Sequence, residues 1–270
     1  MRIKNLPMLF SLSLRYLRIF PCCLAGFAVS AALFPLCSQP PTAESIYGPV
    51  KKQDYLLGKF QPLQHPAFVK LSTLGIPIRG EQMLRREAAD ALRRMYQDLH
   101  REHPKVDFWV QSSTRNWFDQ KAIWESKWNG STLVEGKALN KSIPDPAKRA
   151  RKILEFSSMP GTSRHHWGTD FDINILTNVY YQSGNGAILY QWLQKNANKY
   201  GFCQVYTAGR KKGYLEERWH WSYLPISRLL LIDWKTEFEK NTANLKGFEG
   251  FNASGTMAPV YVESINPDCQ

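Results

Sequence analysis

Ser163-Arg-His-His-Trp-Gly-Thr-Asp-Phe-Asp172 gathers two histidines, two aspartates and a glycine into one short stretch. Imidazole nitrogens and carboxylate oxygens are both zinc donors, which makes His165 and Asp172 candidate ligands. Residues seven apart point to opposite faces of an ideal strand, so the backbone has to bend between them if both are to reach one ion. Gly168 is the residue that permits the bend. Phe171-Asp-Ile-Asn-Ile175 alternates apolar and polar positions, which predicts a strand at the end of the stretch. His166 diverges from its neighbour and carries the ordinary expectation of a satisfied structural histidine.

A third donor has to come from elsewhere, and Glu217-Arg-Trp-His220 offers His220 on a segment, 218–223, that reads as a strand. Three protein ligands leave one tetrahedral position of zinc open, where an unligated glutamate can act as general base. Strict alternation puts Glu216 on the face of His220. Glu217 reaches the same place only if it sits in the turn before the strand, and either glutamate is otherwise an ordinary solvated side chain.

The surroundings predict an α+β domain, a small antiparallel sheet flanked by helices. Leu84, Ala88, Leu92, Met95 and Leu99 recur at helical spacing over 81–103. Pro104 ends that helix, and 106–110 has the β-branched and aromatic content of a strand. This strand delivers Arg115 and Gln120 to a junction with a helix over 117–128. A basic helix follows over 146–156. Gly184 and Gly186 mark a turn, and Ile188, Trp192 and Leu193 form the apolar face of a helix over 187–200. Strands over 202–206 and 218–223 and a last helix over 226–239 complete the pattern. The stretch 38–64 reads as a linker, 65–240 as the folded domain, and 241–270 as a tail lying over it.

The chain has 270 residues, 43% of them hydrophobic, and a formal charge of +12. That length and composition support one sizeable core and exclude disorder throughout. Arg2, Lys4, Arg15 and Arg18 supply part of the charge, with no acidic residue before Glu44. They precede an apolar run over 19–37, so 1–37 is expected to be an export signal, either cleaved or kept as a membrane anchor. Leu36 before Cys37 is larger than a lipid-attachment signal normally carries. Cys203 and Cys269 are the cysteines left to the folded part, and they can pair in an oxidising compartment. The basic surface suits an acidic polymer such as cell wall. No nucleic-acid motif is present, so nucleic acid is not expected as a partner.

Taken together, Ser163-x-His165-x-x-Gly168-x-x-x-Asp172 and Glu217-x-Trp219-His220 resemble the zinc D-alanyl-D-alanine carboxypeptidases of the VanY type. These belong to the fold group that also holds lysostaphin and sonic hedgehog. The resemblance spans about residues 80 to 235. It implies one Zn²⁺ per chain held by His165, Asp172 and His220, with Glu217 rather than Glu216 as the base. Arg115 and Gln120 match an Arg-x-x-x-x-Gln segment that helps hold substrate and the charge developing on its carbonyl. Ser163 is implied to hydrogen-bond substrate. Two departures stand out: Asp170 replaces a small residue, and Asn116-Trp117 replaces Ser-Tyr. Asp170 is expected either to orient a ligand histidine or to face solvent. The implied activity is removal of the terminal D-alanine from peptidoglycan stem peptides by an exported enzyme, periplasmic or anchored to the outer face of the cytoplasmic membrane. An endopeptidase of the same fold and a non-catalytic cell-wall binding module are the alternatives.

Overall fold

The computed structural model describes residues 46–270. The expectation for 1–37 lies outside them. Among the described residues no helix is long and apolar enough to cross a membrane.

The first elements are a short helix α1 (Lys52–Leu56), then a hairpin of β1 (Phe68–Lys70) and β2 (Met83–Arg85). The long helix α2 (Arg86–Glu102) follows. Leu84 therefore lies on a strand rather than in the helix, and the helical stripe starts at Ala88. Ala88, Leu92, Met95 and Leu99 are buried along one face of α2, as the 3.6-residue period requires.

A four-stranded antiparallel sheet, β3 (Val110–Ser112), β4 (Asp170–Ile173), β5 (Phe202–Gln204) and β6 (His220–Tyr223), is ordered β3-β4-β6-β5. Its strands are shorter than the alternation predicts, and Asn174 is the physical reason at one end. With φ at +50° it turns the chain out of β4. Its side chain then accepts from the Trp109 amide and donates to the Asp107 carbonyl. Those groups are satisfied without a ladder, and β3 starts only at Val110.

Helix α3 (Trp117–Trp128) has the predicted limits because Asn116 and Asp119 form a reciprocal capping box. Helix α4 (Pro146–Ile153) is capped by Asp145. Helix α5 (Gly184–Asn196) begins at Gly184, so the two glycines open the helix instead of marking a turn before it. A Cβ on Gly186 would stand 2.1 Å from the Tyr180 carbonyl oxygen, which requires glycine there. Ile188 is exposed, and the buried face is Leu189, Tyr190, Trp192 and Leu193. Helix α6 (Leu224–Phe238) and the short α7 (Ala258–Glu263) finish the chain.

The sheet divides two apolar cores. Phe171, Ile173, Phe202 and Trp221 pack with residues of α2 and α5 on one side. The other core joins Trp117, Trp124, Trp167 and Trp234 with both ends of the described chain. The stretch read as a linker is part of this core from Ile46 onward: Tyr55 and Leu56 are fully buried. The tail is likewise integral, with Leu245, Val262 and Cys269 buried. Linkers and tails are recognised by composition, and here a few aromatic and aliphatic anchors within polar sequence suffice for docking.

Cys203 on β5 and Cys269 form a disulfide across 66 residues. Closing a loop of that size restricts the unfolded chain by an amount worth about 2–4 kcal/mol. Urea unfolding of a Cys203→Ser/Cys269→Ser protein is expected to show that loss against the oxidised parent. Coincident midpoints would mean that the bond contributes nothing to stability.

Candidate active site

β4 and β6 pair with Asp172 opposite His220 and Asp170 opposite Ser222. Directly opposed residues project to the same face, so alternation puts these four side chains on one side of the sheet. Phe171 and Trp221 go to the core on the other.

His165 arrives from the 3₁₀ turn Arg164–Trp167, which ends at Gly168 with φ at +72°. A Cβ there would lie 2.3 Å from the Phe68 ring, so both backbone conformation and space demand glycine. The bend expected from the sequence is this left-handed residue, and it turns His165 back over Asp172.

The turn is held from several directions. The Tyr55 hydroxyl donates to the Trp167 carbonyl at 2.9 Å, and the Trp167 indole donates to the Leu56 carbonyl at 3.2 Å. The Arg115 amide donates to the His165 carbonyl at 3.2 Å. His166 Nε2 accepts from the Gly161 amide, which leaves its Nδ1 proton for the Arg115 carbonyl. Burial pushes the His166 imidazole down to about 3, so it is a neutral structural strut.

His165, Asp172 and His220 are all buried, and one donor atom from each lies within 4.8 Å of the others. Asp172 Oδ2 is 3.2 Å from His165 Nε2, and Oδ1 is 3.0 Å from His220 Nδ1 without hydrogen-bond geometry. Tetrahedral ligands at zinc bond lengths stand about 3.3 Å apart, so the two carboxylate–imidazole spacings fit that ion.

The far nitrogens are fixed in the manner a metal site needs. His165 Nδ1 is 2.7 Å from the Ser113 carbonyl, and His220 Nε2 is 3.0 Å from Asp170 Oδ1. Each ring thereby keeps one proton on its outer nitrogen and turns the other nitrogen inward. Asp170 is fully buried, so of its two expected roles the geometry selects orientation of His220. It also accepts from Arg164 at 2.8 Å, from Thr169 and from Ser222.

Electrostatics point the same way. Burial alone would lower the His220 imidazole, but the Asp170 hydrogen bond and the Asp172 carboxylate raise it to about 9. Burial likewise opposes the Asp172 charge, yet the neighbouring His165 and His220 hold its carboxyl well below the usual range. At His165 burial wins instead, and with the nearby Arg115 charge it lowers the imidazole, leaving that ring neutral as a ligand must be.

Glu217 precedes β6, in the turn, with its amide on the Tyr206 carbonyl at 2.9 Å. Its carboxylate is 3.5 Å from His220 Nδ1, and burial pushes it up to about 7. Glu216 instead pairs with Arg218. These groups open on a cavity of about 670 Å³ that Arg115 and Gln120 also line. Arg115 donates to Ser112 Oγ and leaves its Nε without a partner, while Gln120 holds the Ser158 carbonyl and leaves Oε1 free. Ser163 is buried with an unpartnered Oγ and is not among the residues that line the cavity. Sequence reasoning missed Lys127, Tyr206 and Tyr214 on the cavity wall. The i, i+7 spacing of Gln120 and Lys127 on the predicted helix was the available signal for the lysine.

The sequence profile of VanY, D-alanyl-D-alanine carboxypeptidase, matches residues 81–226, more than half of the chain. The chain belongs to the VanY family. No curated relative matches closely. Among solved structures, this VanY-family chain is similar to the LdcB LD-carboxypeptidase, at 23% identity over 67% of this chain and 76% of that one, with a TM-score of 0.47. It is also similar to VanYB in complex with D-alanine-D-alanine, at 20% identity over 62% and 85%, TM-score 0.40. A third is the vancomycin resistance D,D-pentapeptidase VanY with Zn(II), at 20% identity over 60% and 86%, TM-score 0.42.

Loss of an outer-shell partner of a ligating histidine typically costs 10–100-fold in metal affinity. Asp170→Asn is therefore expected to weaken Zn²⁺ binding by about that factor in a chelator competition. Unchanged affinity in a folded variant would remove Asp170 from the metal site.

Proposed function

We propose that the chain is an exported, zinc-dependent carboxypeptidase that removes the terminal D-alanine of peptidoglycan stem peptides. The observation that carries this reading is the convergence of His165, Asp172 and His220 on one point, with Glu217 beside it and Arg115 in the same cavity. Zn²⁺ held by the three ligands supplies Lewis acidity for the scissile carbonyl and for water. Glu217 takes the proton of the attacking water and returns it to the leaving amine, a task suited to a carboxyl raised toward neutrality. Arg115, half-buried and with Nε unpartnered, faces the negative charge that develops on the carbonyl oxygen. Gln120 offers Oε1 to a substrate amide. No covalent acyl-enzyme is needed.

Export is supported by the basic residues and apolar run before residue 38. The Cys203–Cys269 disulfide adds to it, because such bonds persist in oxidising compartments. Periplasmic release or retention at the outer face of the cytoplasmic membrane both follow from that segment.

Glu217→Ala is expected to keep one equivalent of Zn²⁺ while hydrolysis falls about 10²–10⁴-fold. His220→Ala is expected to lose both metal and activity. Mass spectrometry of muropeptides incubated with the purified protein should show loss of one alanine. Split cross-links would favour an endopeptidase, and unchanged muropeptides a binding module.

A further inference from the structure

Helix α3 lays Gln120, Ile123 and Lys127 along the cavity wall. Their spacing of i, i+3 and i+7 puts them on one face of the helix. At a rise of about 1.5 Å per residue, Lys127 lies about 10 Å along the wall from Gln120. Arg115 stands in the loop just before this helix and lines the same cavity.

The charges of the cavity do not balance internally. Of its four carboxylates, Asp172 lies between two imidazoles and Glu217 faces His220. Glu216 pairs with Arg218 and Glu155 with Lys152. Among its three cations, Arg164 is taken by Asp170. Among the described residues, Lys127 donates only to Ser157 Oγ, and neither it nor Arg115 has a carboxylate within 4.0 Å. Burial pulls the Lys127 amine down to about 8, with Arg115 adding to the effect. A half-desolvated cation without a counter-charge is costly to keep. Such a cation is explained when a ligand brings the missing anion.

We propose that Lys127 binds the free C-terminal carboxylate of the substrate peptide, which makes it a specificity-determining residue that commits the cavity to exopeptidase action. The inference rests on the peptidase reading above and sharpens it. A peptide cut at its last bond presents a carboxylate one residue beyond the scissile carbonyl, whereas a peptide cut internally presents a neutral amide there. The lysine stem is long and flexible, with three donors at its end, so the ammonium can turn from Ser157 toward that group. Internal bonds are disfavoured by the same device, since an amide would leave Lys127 and Arg115 mutually repelling and unpaired.

The test compares a short peptide ending in D-Ala-D-Ala as the free acid with the same peptide as its C-terminal amide. The parent, Lys127→Met and Lys127→Arg proteins are all loaded with zinc. The parent is expected to favour the acid by about 10–100-fold in kcat/KM, chiefly through KM, as one charge-assisted hydrogen bond implies. Lys127→Met should collapse that ratio toward one, and Lys127→Arg should retain most of it. An equal acid-to-amide ratio in parent and Lys127→Met overturns the proposal, as does an equal fall for both peptides. If Lys127→Met does not fold, Lys127→Gln takes its place. Calorimetric binding of both peptides to Glu217→Gln protein, with and without Lys127→Met, gives a readout independent of turnover. Failure of the parent to cleave either peptide would count against the peptidase reading alone, and the binding ratio would still decide the role of Lys127.

Discussion

The pairing of β4 with β6 is the constraint on which the site depends. Asp172 opposes His220 and Asp170 opposes Ser222, while Phe171 and Trp221 occupy the alternate positions and fill the core beneath. A slip of one residue would send the ligands into that core and the aromatic rings into the cavity. The apolar face thus fixes the polar one. Burying those rings against α2 and α5 holds the register, and the register holds two of the three candidate ligands on one face.

Such a site concentrates charge where water is scarce, and the structure offsets this by pairing. Arg164, Thr169, Ser222 and His220 all converge on Asp170. Removing one partner from an arrangement like this leaves a buried charge exposed to its full desolvation cost. The same network gives the Asp170 carboxylate its place. Asp170 adds a second negative group behind His220, and its other contacts anchor the 3₁₀ turn to β4 and β6. Ligand orientation and local architecture are served by one carboxylate.

Much of this was legible in the sequence because it is local. The left-handed Gly168, the capped α3 and the helical stripe of α2 each follow from a few neighbouring residues. Alternation also identified Glu217 as useful only in the turn before the strand, and the turn is where it lies. Long-range effects were not legible. Nothing near Tyr55 announces that its ring is fully buried or that its hydroxyl holds the turn carrying His165. Asn174 reads as an ordinary strand residue, yet its side chain replaces the ladder for Asp107 and Trp109 and shortens two strands. Lys127 sits on a correctly placed helix, but whether a helical lysine faces solvent or a cavity depends on what packs opposite. That is a property of tertiary structure.

Asp172 and Glu217 both stand beside His220 in the cavity, and their environments set them apart. Asp172 lies between two imidazoles, which hold it ionised against the effect of burial. Glu217 approaches His220 less closely, and burial dominates, pushing its carboxyl up to about 7. Paired titratable groups driven apart in this way mark a division between holding charge and moving protons. The backbone enforces the division: strand alternation delivers Asp172 into the sheet face, whereas the turn before β6 leaves Glu217 beyond the ladder, anchored to Tyr206 through its amide. Were the strand extended back to position 217, that side chain would point to the face opposite His220. Its place outside the strand is therefore a condition of the proposed chemistry, and the period of two that places Asp172 and His220 on one face requires it.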